Sequence, residues 1–149
     1  MSHLLEVKDL EVKFALWSGE LTAIDGISFT LDRGERLGIV GESGAGKSVT
    51  GFAIINLISR PGYISGGKIR FENRELHRLP EEQMRAIRGN RISMIFQDPM
   101  MTLNPVLTIA TQMTETVLAH QDVSKTDALD IALEKLKKEG LKPILVLHQ

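Results

Sequence analysis

A glycine-rich segment of eight residues that ends in Gly-Lys-Ser limits the possible folds of this chain more than any other part of the sequence. It reads Gly41-Glu42-Ser43-Gly44-Ala45-Gly46-Lys47-Ser48, with four residues between Gly41 and Gly46-Lys47-Ser48. Residues 36–40, just before it, are predicted to form a short apolar strand, and residues 49–58, just after it, a helix. Such a turn directs backbone N–H groups and the positive end of the helix dipole at one point, which favours a polyphosphate ligand.

Two side chains at the end of the segment strengthen this interpretation. Lys47 supplies a charge that can reach the β- and γ-phosphates, and the Ser48 hydroxyl can ligate a Mg²⁺ ion that bridges them. A glycine-rich turn with a chance lysine is the alternative, but strand, loop and helix all fall where the motif requires them. The predicted binding set is Gly41, Glu42, Ser43, Gly44, Ala45, Gly46, Lys47, Ser48 and Val49.

The composition excludes several classes of protein. Hydrophobic residues make up 42% and charged residues 25% of the 149 residues, which is typical of a folded globular domain rather than a disordered one. The formal net charge of −1 gives no basic field for nucleic acid. Without cysteine there are no disulfides and no thiolate metal sites. No apolar run approaches the length of a membrane span, so we expect any membrane association to come through a partner.

The remaining segments predict an alternation of strands and helices. An irregularity at Asp9-Leu10 in the first strand indicates a bulge, and Ser124 is a plausible N-cap for the last helix. A basic stripe formed by Arg85, Arg88 and Arg91 favours a solvated face over an anion site. The predicted strands are residues 4–14, 21–31, 36–40, 68–72 and 92–96, and the predicted helices are residues 49–58, 79–88, 109–120 and 125–139.

Taken together, four features resemble the ATP-binding subunit of an ABC transporter. They are Phe14 upstream of the loop, the segment from Gly38 to Ser48, the run Met94-Ile95-Phe96-Gln97-Asp98-Pro99, and Leu103-Asn104-Pro105. The last two, with Val49 after the loop, are most similar to the dipeptide and oligopeptide importer branch. The resemblance implies an α/β fold: a phosphate-loop NTPase core of the RecA-like type, here incomplete, with a β-rich N-terminal layer and a partial helical subdomain.

The resemblance also implies roles for individual residues. Phe14 corresponds to the aromatic residue that stacks on adenine, although it also lies in phase with the apolar positions of its strand and is equally suited to core packing. Trp17, in the following turn, is a second candidate for the stacking residue. Gln97 matches the glutamine that reaches Mg²⁺ and the attacking water, so Gln97 and Lys47 are the expected catalytic residues, and Ser48 and Gln97 the metal ligands. The implied cofactors are ATP and Mg²⁺.

The family pattern further implies an arrangement of domains and partners. Residues 1–98 would form the nucleotide-binding core, residues 99–140 a partial helical subdomain that touches membrane-spanning permease subunits, and residues 141–149 an atypical tail. A second ATP-binding subunit would complete a homodimer or heterodimer. We expect a cytoplasmic protein that lies on the inner face of the plasma membrane through the permease, without direct membrane insertion and without nucleic acid.

The chain also departs from the family pattern. It contains no Leu-Ser-Gly-Gly-Gln-like signature and no apolar strand that ends in Asp-Glu. We expect truncation just before the signature, with His148-Gln149 as the pair that often precedes it; the alternative is that residues 144–147 stand for the missing strand. Two functions remain open: a nucleotide-binding subunit of an importer for peptides or similar solutes, and a non-catalytic remnant that binds ATP or membrane subunits without turnover.

Overall fold

The computed structural model describes residues 3–98 and 103–141. Pro99, the start of the expected helical subdomain and the tail from residue 142 lie outside these residues. The strands are β1 (Leu5–Leu16), β2 (Gly19–Leu31), β3 (Gly62–Phe71) and β4 (Arg74–Glu75), and the helices are α1 (Lys47–Ile54), α2 (Glu81–Ile87), α3 (Ile109–Leu118) and α4 (Lys125–Lys138). A short 3₁₀ helix, Leu76–Arg78, follows β4.

The four strands form one antiparallel sheet in the order β2-β1-β3-β4. Glu72 and Asn73, both with positive φ, make the two-residue turn between β3 and β4, as a tight hairpin requires. One face of the sheet supplies a core that includes Val7, Val12 and Ile69, each at most 1% exposed. The β-rich N-terminal layer predicted from the sequence is therefore present.

The bulge predicted at Asp9-Leu10 is confirmed. Asp9 has φ 48°, and the register of β1 against β2 shifts between Val7 and Leu10. The Ser28 hydroxyl accepts a hydrogen bond from the Asp9 N–H at 2.8 Å, which satisfies a donor that the bulge removes from the ladder. Because the bulge adds a residue, Val7 and Leu10 both face the core although three positions separate them.

Helix α1 ends at Ile54, four residues before the predicted end. Asn56 takes a left-handed conformation, φ 52°, and its N–H donates to the Ala53 carbonyl at 3.0 Å, while the Leu57 N–H donates to the Phe52 carbonyl at 2.8 Å. This pair of bonds is the Schellman ending, which asparagine adopts in place of glycine. The prediction that proline and glycine at 61–62 end the helix was wrong, because the capping asparagine stops it first.

Two predicted strands are also wrong. Residues 36–40 and 93–96 have no strand assignment, and residue 92 forms only an isolated bridge with Arg88. Val40 is 93% exposed and Ile95 97% exposed. Apolar runs of this kind form strands only when neighbouring strands pair with them, and in the described part of the chain no strand does.

The chain divides into two compact units, one ending at Arg85 and the other beginning at Ala86. The boundary between core and helical subdomain expected near residue 98 stays a prediction. In the second unit α3 packs on α4, and the Ser124 hydroxyl accepts the Asp127 N–H at 3.1 Å, so the predicted N-cap is confirmed. No helix in the described ranges is long and apolar enough to cross a bilayer.

Candidate functional site

The glycine-rich segment forms a compact loop that leads directly into α1. Gly44 and Gly46 have φ values of 85° and 82°, a region that residues with a Cβ rarely occupy. The Ala45 N–H donates to the Glu42 carbonyl at 3.1 Å, which closes the first turn of the loop. The spacing of the glycines therefore follows from the backbone conformation that the loop requires.

Gly46 is also held closely against the sheet. A Cβ at this position would lie 2.8 Å from the Ala23 carbonyl oxygen and 3.3 Å from Ile24 Cγ1, both in β2. No real side chain tolerates the first of these distances without a shift of the backbone. The contact fixes the end of the loop, and with it the start of α1, relative to the sheet.

The first turn of α1 leaves backbone donors without partners. Gly46 is the N-cap and offers no side-chain acceptor, so the N–H groups of Lys47, Ser48 and Val49 have no acceptor among the described residues. Thr50 is the first residue whose N–H is paired, with the Gly46 carbonyl at 2.8 Å. Unpaired N–H groups together with the positive end of the helix dipole make this point suitable for an anion.

The Lys47 side chain folds back over the loop. Its ammonium group donates to the Gly41 carbonyl at 2.7 Å and to the Glu42 carbonyl at 2.6 Å, and the residue is half-buried. An ammonium group has three donors. Two hold the loop closed, and the third has no partner in the described structure, so it remains for a ligand oxygen beside the unpaired N–H groups.

The hydroxyl of Ser48 and the side chains of Glu42 and Ser43 are exposed around the same loop. The described residues contain no group of three or more His, Cys, Asp or Glu side chains that could hold a metal ion by themselves. The donor set here, one hydroxyl beside an anion cradle, instead fits an ion that arrives with phosphate oxygens as additional ligands.

Phe14 and Val49 line one apolar cavity of about 240 Å³ at the side of α1, together with Phe52, Leu57, Ile58 and Ser59. The Phe14 ring lies over Gly62, where a Cβ would approach Phe14 Cε1 to 2.6 Å. Phe14 is half-buried, whereas Trp17 is fully exposed in the turn between β1 and β2. The structure therefore supports a packing role for Phe14 while leaving part of its ring accessible.

Gln97 belongs to the second unit and is exposed in an irregular segment. Its predicted contacts with Mg²⁺ and water stay a prediction. The loop residues from Gly41 to Ser48 lead into the start of α1 in the first unit. Phe14 belongs to the same unit and lines a cavity at the side of α1 with Val49.

The match to a family model decides the relationship of the chain to known proteins. The model described as ABC transporter matches residues 12–147. The chain belongs to the ABC transporter family. This match spans the loop, α1 and the segment around Gln97.

Curated relatives agree with this assignment. The chain is 49% identical over 142 residues to the oligopeptide transport ATP-binding protein OppD of Bacillus subtilis. The aligned region covers 95% of this chain and 40% of that protein. The chain is 45% identical to OppD of Escherichia coli, and the alignment covers 89% of this chain and 39% of that protein. It is also 45% identical to the dipeptide transport ATP-binding protein DppD of Bacillus subtilis, where the alignment covers 95% of this chain and 42% of that protein. The chain thus spans about 40% of the length of these relatives.

Solved structures show the same fold. A dimeric structure of the ABC transporter cassette MJ0796 matches with a TM-score of 0.80 at 22% identity, covering 97% of this chain and 61% of that chain. A dimeric post-hydrolysis structure of the same cassette, bound to ADP and Pi, matches with a TM-score of 0.79 at 21% identity. The predicted α/β architecture of an incomplete phosphate-loop NTPase is thereby confirmed.

The contact of Gly46 with Ala23 and the cavity beside Phe14 were not predicted from the sequence. The Ala23 carbonyl carries no signal in the sequence, because its contact with Gly46 depends on how β2 meets the loop. The cavity beside Phe14 is signalled only weakly, by the spacing of Val49 and Phe52 on one side of α1. Gly62 of β3 lies opposite Phe14 of β1 and makes room for its ring. A glycine at the start of a strand is the sequence signal for such a close approach.

Proposed function

We propose that this chain is the nucleotide-binding part of an ATP-binding subunit of an ABC importer for oligopeptides, dipeptides or similar small solutes. The observation that carries the proposal is the loop from Gly41 to Ser48 with the first turn of α1, where three backbone N–H groups and one ammonium donor have no acceptor among the described residues. These donors suit the phosphates of ATP, and curated relatives of the chain are named as oligopeptide and dipeptide transport ATP-binding proteins.

In this proposal Lys47, Ser48 and Phe14 contact different parts of the nucleotide complex. Lys47 keeps the loop closed with two of its donors and binds a phosphate oxygen with the third. Ser48 and Gln97 would hold a Mg²⁺ ion, whose charge would offset that of the phosphates. The Phe14 ring contacts the adenine base through its accessible part.

The bound nucleotide supplies the energy for transport when it is hydrolysed, and the chain's own residues bind and orient it. The proposed partners are membrane-spanning permease subunits and a second ATP-binding subunit, consistent with the dimers of the MJ0796 cassette. The proposed location is the cytoplasmic face of the plasma membrane, held there through the permease.

Calorimetry with MgATP tests the proposal. Parent protein, Lys47→Ala and the exposed-lysine control Lys125→Ala are compared, with circular dichroism to verify that all three are folded. Loss of one charge-assisted hydrogen bond is worth about 1.5–3 kcal/mol, so Lys47→Ala should weaken ATP by roughly 10- to 150-fold while Lys125→Ala binds like the parent. Equal affinity in all three proteins would remove the loop from the function.

Turnover provides a second test on a polypeptide of these 149 residues. In-line attack on the γ-phosphate needs a carboxylate that polarises water and an acidic ligand for the metal, and the described residues hold no acidic metal cluster. We expect this polypeptide to bind ATP with phosphate release no faster than that of Lys47→Ala. Release well above that control would reveal a catalytic carboxylate within these residues.

A further inference from the structure

The solvent-facing side of the sheet carries an arrangement of charge that the nucleotide site does not use. Lys8 of β1 and Lys68 of β3 are direct cross-strand partners, and both side chains are exposed. Their Cβ atoms are therefore about 5 Å apart, a spacing at which like charges destabilise a sheet. In the described structure neither ammonium group has a hydrogen bond or an ion pair with a carboxylate.

The neighbouring cross-strand pair behaves differently. Glu6 and Arg70 lie opposite each other on the same face, with 3.8 Å between Glu6 Oε2 and an Arg70 guanidinium nitrogen. Arg70 also reaches Glu75 at 3.6 Å, and Glu75 binds Arg78 at 3.0 Å. Arginines thus engage the Glu6 and Glu75 carboxylates, while in the described structure Lys8 and Lys68 have no ion pair with a carboxylate.

Lys8, Lys68, Arg70 and Glu6 together line a recess of about 100 Å³. That is roughly three times the volume a water molecule takes in the liquid, enough for a tetrahedral oxyanion. Three cations and one carboxylate line the recess, an excess of cationic side chains on a chain whose net charge is −1. We propose that this recess, the lysine recess, binds a phosphate group between Lys8 and Lys68.

The site is separate from the glycine-rich loop, and the proposal does not rest on the function proposed above. A phosphate group there would compensate the repulsion between the two lysines, which explains why a destabilising pair is present at this position. The phosphate could belong to a free phosphorylated molecule or to the headgroup of an acidic phospholipid, and the two sources are distinguished by experiment.

The experiment uses Lys47→Ala as the background, so that phosphate binding at the loop is weakened and its amide signals can be told apart from those of the lysine recess. Inorganic phosphate is titrated into ¹⁵N-labelled protein, and we expect saturable shifts of the Lys8, Lys68 and Arg70 amide signals. Lys68→Glu in this background should weaken phosphate at least about fivefold and also raise the midpoint of thermal unfolding, because an opposite-charge pair replaces a like-charge pair. Lys125→Ala, which changes a lysine of α4, should alter neither quantity.

Lys68→Gln is the second variant, for use if Lys68→Glu does not fold, and it should weaken phosphate in the same direction. Sedimentation with vesicles of phosphatidylcholine, with and without phosphatidylglycerol, identifies the source of the phosphate group. If the protein sediments only with the anionic vesicles, and Lys68→Glu does not, the phosphate belongs to a lipid headgroup. If the protein binds phosphate but does not sediment, the phosphate belongs to a free molecule. Phosphate shifts that are absent, unsaturable or unchanged by Lys68→Glu and Lys68→Gln would overturn the proposal.

Discussion

Replacing Gly46 by alanine tests how the loop is fixed to the sheet. Two costs arise at this position. Its φ of 82° places an L-residue in the left-handed region, at about 1–2 kcal/mol. The added Cβ would also lie 2.8 Å from the Ala23 carbonyl oxygen, and overpacking of this kind costs about 1–3 kcal/mol more. The free energy of unfolding should therefore fall by roughly 2–5 kcal/mol.

Two other glycines provide matched controls. Gly34 and Gly44 have φ values of 78° and 85°, but a Cβ at either meets nothing within 4 Å. Gly34→Ala and Gly44→Ala should thus show only the conformational cost of about 1–2 kcal/mol. The comparison isolates the steric contact between Gly46 and β2.

Urea denaturation followed by far-ultraviolet circular dichroism measures all three variants, since the slope with urea should stay constant while the midpoint moves. Gly46→Ala should unfold at a clearly lower urea concentration than both controls. The reasoning is refuted if Gly46→Ala has the same midpoint as Gly34→Ala, because the approach to the Ala23 carbonyl would then impose no constraint.

Three further predictions concern other parts of the chain. Phe14→Ala should weaken ATP by about 1–3 kcal/mol if its ring contacts the base, whereas Trp17→Ala should leave affinity unchanged; the reverse result would transfer the base contact to Trp17. The hydroxyl of Tyr63, the single tyrosine, donates to the Glu20 carboxylate, and this bond raises the pKa of Tyr63. The stability that the Tyr63–Glu20 bond contributes is thus present below the unfolded-state tyrosine pKa of about 10 and is lost as pH rises through the raised pKa. In an absorbance titration, the Tyr63 hydroxyl of Glu20→Gln should lose its proton at lower pH than that of the parent. Ser124→Ala should lower stability by about 0.5–2 kcal/mol by removing the cap of α4, while Ser18→Ala in an exposed turn should not; equal losses in urea unfolding would count against the capping bond.

The parts of the fold that were predicted correctly depend on local chemistry. The phosphate-loop motif specifies its own backbone, since Gly44 and Gly46 take conformations that glycine favours. The cap at Ser124 also follows from residues close in sequence. The bulge at Asp9 was signalled by the local break in alternation, although its hydrogen bond is made to Ser28 of β2. A sequence pattern is informative where the interactions it predicts are made within a few residues.

The two incorrect strand predictions depend on partners distant in sequence. Residues 36–40 and 92–96 are apolar enough for strands, but pairing is decided by neighbouring strands rather than by composition. The end of α1 was misplaced because the left-handed Asn56 is a weaker signal than the later Pro61-Gly62. The close approach of Gly46 to Ala23 has no local signature, so only the folded structure reveals it.

Locating bound nucleotide on the protein tests most directly whether the glycine-rich loop holds the phosphates of ATP. MgATP is titrated into the ¹⁵N-labelled chain, and amide shifts are compared between parent, Lys47→Ala and Lys125→Ala. We expect saturable shifts that are largest for Gly44 to Val49, retained in Lys125→Ala and reached only at much higher MgATP in Lys47→Ala, because the N–H groups of the first turn of α1 receive the phosphates. Shifts centred away from this loop, or the same shifts at the same MgATP concentration in Lys47→Ala, would contradict this expectation.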